Sequence, residues 1–290
     1  MNLSIKTKKL SIITDVILFL FVVLIFILLI QKLDLPSYNE YEETMALFNS
    51  GNYKSVEEEN EVYIKKIRND FGINILYGKE VADYAASVNA VEQYDQNIIN
   101  NNLKQIYAAL QTYPDDVFDI FKSRKYPLYI MIVDKFNNNT LALASRNSLN
   151  QYRLFVSNTN KFERAFHHEM FHILEYYMSD KKKNLYANWN DFNPDGFMYE
   201  SNTSKLDNDY VYTSYSNGEN VNMNPYFVTK YSKASDKEDR AEIFAELMIA
   251  TKKPSYLGEG QNIKKKADEI DASIVENITS NKFPYDDILN

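Results

Sequence analysis

His168-Glu169-Met170-Phe171-His172 lies in a stretch where Phe166, Met170, Phe171, Ile173 and Leu174 supply apolar residues around every face. Such a pattern predicts a buried helix, here over 162–178. Residues four apart share one helix face, so His168 and His172 can direct two imidazoles at a single metal ion. Burying two histidines and a glutamate without partners costs free energy. The competing reading is a core helix with two satisfied histidines. The chain has only three histidines, and His167, the third, points off the shared face, which suits a structural or substrate-side role.

Neutral imidazole suits zinc, and two of them leave room for a third protein ligand and a water. The expected cofactor is one Zn2+ per chain. Glu169 sits one step around the helix, where its carboxylate can take a proton from that water, whose pKa zinc lowers towards about 7. An extended motif with a third histidine would need Gly and His where this chain has Glu175 and Met178, so that zinc class is excluded. With no further histidine, the third ligand is expected to be a carboxylate. The helix expected from Asp236 to Ile249 offers Glu238, Glu242 and Glu246, each four from the next. A solvated acidic face is the alternative for this row, for Glu246 above all.

The segment Phe166 to His172, with Tyr231 and the run Glu238 to Ala245, resembles the zinc-binding metallopeptidases of Gram-positive bacteria. In site layout these are similar to the catalytic domains of anthrax lethal factor and Pro-Pro endopeptidase. The resemblance spans roughly residues 94–250 and is carried by the two helices. It implies a gluzincin arrangement, with zinc on His168, His172 and Glu238 and with Glu169 as general base. Glu242, four residues beyond the ligand, would orient a ligand histidine. Tyr231, seven residues before Glu238, would line the site as an oxyanion donor. The longer insert between the helices departs from the smaller members of the group, so no Pro-Pro preference is carried over.

Further out, Val16 to Ile30 is an unbroken apolar run. Extended to residues 10–31 it is long enough to cross a hydrocarbon core of ~30 Å as a helix. Lys6, Lys8 and Lys9 precede it, which keeps that end cytoplasmic. The competing reading, a cleaved leader, lacks a small-residue cleavage site, since Gln31-Lys32-Leu33-Asp34 follows the run. The expected organisation is a cytoplasmic tail (1–9), a transmembrane signal anchor (10–31), a helical stalk (32–64) and a zinc metallopeptidase domain (65–290). The expected location is the cell membrane, single-pass, with the catalytic domain extracellular.

Composition narrows the alternatives. A net charge of -8 argues against a nucleic-acid partner, which needs a basic face. The absence of cysteine removes disulfides, thiolate metal sites and a cysteine nucleophile. With 23 Tyr and 17 Phe against 7 Gly and 7 Pro, a helix-rich body is favoured over a loop-rich sandwich. Strands are expected at Ile73–Tyr77, Leu128–Val133 and Tyr152–Val156, and helices at Ile98–Leu110 and from Pro114 through Phe121. Residues 184–227 read as irregular, and Asp207-Asn208-Asp209 there as a solvated loop or a calcium ligand set. The fold class is α+β, zincin-like, with the active-site helix packed on a small sheet. The expected partner is a peptide or protein substrate. Two rival functions are a tethered zinc- or peptide-binding protein without turnover, and a zinc hydrolase of a non-peptide cell-wall amide.

Overall fold

The computed structural model describes residues 38–200 and 225–289, apart from Arg124 and Asn139. The expected anchor 10–31 and the Asp207-Asn208-Asp209 segment lie outside the described residues. Among these, no helix is long and apolar enough to cross a membrane. The chain divides into two compact units, Met1–Asn49 and Ser50–Asn290. The first contributes most of helix α1 (Tyr38–Ser50).

The second unit opens with α2 (Val56–Phe71), followed by β1 (Asn74–Leu76), α3 (Ala82–Ser87), β2 (Ala90–Glu92) and α4 (Gln96–Leu110). Then come α5 (Asp119–Lys122), β3 (Leu128–Phe136), β4 (Ala142–Arg146), β5 (Tyr152–Ser157) and α6 (Phe162–Lys181). After the irregular insert, α7 (Asp236–Ile249), α8 (Asn262–Asn277) and α9 (Asp286–Leu289) complete the chain.

The stalk was expected to run to residue 64, yet residues 50–64 belong to the second unit. The physical reason is that α2 is acidic in its first turn and buried along the turns that follow. Ser55 caps it by accepting the Glu58 N–H at 3.2 Å, and Glu57, Glu58 and Glu59 occupy the first turn, where negative charge suits the helix dipole. Beyond that first turn the helix buries Val62, Ile67 and Phe71. Asn60, fully buried, donates to both the backbone and side-chain oxygens of Gln96 and accepts from Asn100 at 2.9 Å. Gly72 ends the helix at φ 70°, and a Cβ there would meet Lys122 at 2.7 Å.

The sheet is mixed. β3 runs parallel to β1 and to β5, and β4 adds antiparallel to β5 at the edge. β2 pairs antiparallel with the far half of β3. Strand side chains alternate in direction. Val81, Ala85, Ala90, Met131, Val133, Phe136 and Phe155 form one core layer beneath α3. Ile130, Ile132, Leu154 and Val156, of opposite parity, are equally buried. α6 packs on β4 and β5 and against α7. Where α6 meets α7, Phe171 packs on Phe244 with 5.0 Å between ring centroids. The expectation of a helix over 162–178 on a small sheet agrees with this arrangement, while β2, β4 and α8 are additional elements.

Candidate metal centre

Helix α6 presents His168 and His172 one turn apart, and α7 brings Glu238 across to them. The Nε2 atoms of the two histidines are 3.2 Å apart. Glu238 Oε2 stands 2.9 Å from His168 Nε2 and 3.5 Å from His172 Nε2. These three residues form a group whose ligand atoms all lie within 4.8 Å of one another. Glu238 reaches this place because Ser235 caps α7 and accepts the Glu238 N–H at 3.2 Å. Its carboxylate then leaves the first turn of the helix towards the histidines.

The donor set suits a cation. Glu242 Oε1 is 2.8 Å from His168 Nδ1, and an ionised carboxylate only accepts, so Nδ1 carries a proton. In a neutral imidazole, Nε2 is then a bare lone pair facing a second nitrogen and a carboxylate oxygen. Without a cation the same geometry requires His168 to be doubly protonated. Burial alone lowers its pKa, but the hydrogen bonds to Glu238 and Glu242 outweigh burial and push it up to about 10. Glu238 shows the reciprocal effect: burial raises its pKa, and the two histidines more than reverse that. Two imidazole nitrogens and one carboxylate oxygen are a donor set that zinc accepts in tetrahedral sites with one open position.

Around this group, Glu242 is buried and has its pKa held at about 2, burial being outweighed by His168 and Arg164. Arg164, one turn before His168 on α6, donates two bonds to it, and Thr229 donates a third. Glu169 lies half-buried beside His168, and its Oε2 accepts the backbone N–H of Ala144 in β4 at 2.6 Å. Tyr231, in a 3-10 turn ahead of α7, has its ring centroid 6.0 Å from that of His168. Burial, then the charges of Glu238, Glu169 and Glu242, raise the pKa of its phenol, so it stays an O–H donor. Glu246 is not in the metal group; it pairs with Arg164 at 3.7 Å. His167 points into the core, where its Nδ1 is 2.7 Å from the Tyr113 hydroxyl and burial lowers its pKa to about 3.

Arg164, Thr229 and Ala144 were not singled out in the sequence. Arg164 had a signal, its place four residues before His168 on the same face. Thr229 and Ala144 had none, since one lies in an irregular segment and the other acts through its backbone.

No family model matches the sequence, and no curated protein does either. The fold is similar to the crystal structure of a "putative zinc-binding metallo-peptidase from Bacteroides caccae ATCC 43185". The match has a TM-score of 0.48 at 14% identity and covers 78% of this chain and 88% of that one.

Proposed function

We propose that this chain is a zinc-dependent endopeptidase, held in the cell membrane by residues 10–31 with its catalytic domain extracellular. The observation that carries the reading is the convergence of His168, His172 and Glu238 on one point beside Glu169. Zinc, when bound, supplies a Lewis acid that brings the pKa of a water towards about 7. The chain's own residues then divide the work. Glu169, steadied by the Ala144 N–H, takes a proton from the attacking water and passes it to the leaving amine as the C–N bond breaks. Tyr231 donates its O–H towards the oxyanion formed on the former carbonyl. Glu242 keeps His168 oriented. The support for the membrane anchor is the apolar run Val16 to Ile30 and the three lysines before it.

The test is to incubate the purified chain with a peptide library and, separately, with purified cell wall, each with zinc and with a chelator. Zinc-dependent cleavage of internal peptide bonds supports the reading. Zinc-dependent amide release from cell wall alone would make it a non-peptide hydrolase. Zinc and peptide binding without turnover of either would make it a binding protein, a role that has no use for Glu169.

A further inference from the structure

Four donors converge on Glu242. Its Oε1 accepts from Arg164 Nη1 at 3.1 Å and from His168 Nδ1 at 2.8 Å. Its Oε2 accepts from Arg164 Nη2 at 2.7 Å and from Thr229 Oγ1 at 2.5 Å. An ionised carboxylate offers about four lone-pair sites, so these bonds fill it. The side chain is 1% exposed and cannot exchange these partners for water. The two bonds from the planar Arg164 fork fix its plane, and that plane fixes the His168 ring. Thr229 Oγ1 also accepts the Ser232 N–H at 3.1 Å, closing a turn around Tyr231. One hydroxyl therefore ties the Tyr231 turn to the carboxylate that holds His168.

We propose that Arg164 and Thr229 are positioning residues for zinc, acting through Glu242 to hold His168 with its proton on Nδ1 and its Nε2 lone pair on the metal. This rests on the zinc reading above and assigns two residues to it. The sign of the effect separates positioning from simple charge. Arg164 is a cation close to a divalent cation, so by charge alone its removal would tighten zinc binding. Positioning demands the reverse, because an unclamped Glu242 lets the imidazole turn.

The test is the zinc Kd of the purified full chain, measured by competition against a chromogenic chelator, with far-UV circular dichroism as the control for folding. Arg164→Met is expected to weaken zinc binding ~10–100-fold, the range typical for outer partners of metal ligands. Arg164→Lys keeps the charge but not the paired bonds, and is expected to weaken it by an intermediate amount. Thr229→Val should also weaken it, and Thr229→Ser should restore wild-type affinity. Folded Arg164→Met or Thr229→Val protein that binds zinc as tightly as wild type, or more tightly, overturns the inference. Should Arg164→Met fail to fold, Arg164→Lys and the Thr229 pair decide by the same criterion. If the wild-type chain holds zinc and Glu238→Ala loses it while these variants match wild type, the inference falls and the zinc reading stands. If the wild type binds no zinc, both fall together.

Discussion

His168 Nε2 and His172 Nε2 face each other at 3.2 Å, with Glu238 Oε2 completing a triangle at 2.9 and 3.5 Å. Without a metal ion this triangle is held by a proton on His168 Nε2, and a cation bound at its centre would take that proton's place. Zinc is the cation proposed here, and its removal is readable as stability. A ligand that binds only the folded chain adds about 2.7 kcal/mol at a hundredfold excess over Kd. For a domain of this size that is ~5–10 °C in Tm. Zinc should raise the melting temperature of the chelated chain by about that much, and His172→Ala should abolish the shift. An equal shift in the variant would count against the centre.

The carboxylates of α7 divide into three roles. Glu238 reaches the histidine nitrogens, Glu242 bonds the outer nitrogen of His168, and Glu246 pairs with Arg164. Zinc titration should therefore rank them. Glu238→Ala is expected to release zinc at concentrations where Glu242→Ala, weakened only ~10–100-fold, still holds it. Glu246→Ala should titrate nearly as wild type. Greater loss in Glu242→Ala than in Glu238→Ala would shift the ligand assignment by one turn.

Next to Glu238, Asp239 forms a fully buried pair with Lys266 of α8 at 2.6 Å. Asp239 also accepts from Trp189 Nε1 and the Tyr199 hydroxyl, so the insert and α8 are joined to α7 through one carboxylate. Lys266→Met leaves that carboxylate buried without its counter-charge. Denaturant unfolding should report a loss of ~3–5 kcal/mol. A loss under about 1 kcal/mol, the scale of an exposed pair, would mean the pair contributes little.

The proposed topology is checked on cells stripped of their wall. If Lys6, Lys8 and Lys9 hold the other end of the apolar run inside, protease added from outside should digest the residue 50–290 unit. Complete protection behind an intact membrane would reverse the orientation.

The parts legible in the sequence are those that repeat at helical spacing. His168 and His172, and Glu238 and Glu242, are each four apart, so their faces followed from the helix itself. The dense apolar runs at Leu128–Val133 and Tyr152–Val156 likewise marked β3 and β5, both buried. β4 was silent because Ala142-Leu143-Ala144-Ser145-Arg146 contains no β-branched residue. β2 has three residues, too few to carry an alternation. The helical stalk expected over 32–64 overlaps the second unit from residue 50, because α2 is acidic only in its first turn and buries Val62, Ile67 and Phe71 beyond it. The Lys266–Asp239–Trp189 network joins residues 27 and 50 positions apart, a separation no local pattern records.

The proposed hydrolysis at this centre depends on Glu169 moving the proton, a role that Glu169→Gln removes while leaving the metal ligands in place. The amide keeps the shape of the side chain and leaves His168, His172 and Glu238 untouched, but cannot accept the proton. Zinc content and peptide cleavage are measured on the same purified sample. One zinc per chain is expected, as in wild type, with kcat reduced ~10²–10⁴-fold. Zinc-loaded Glu169→Gln cleaving peptides at the wild-type rate would contradict it.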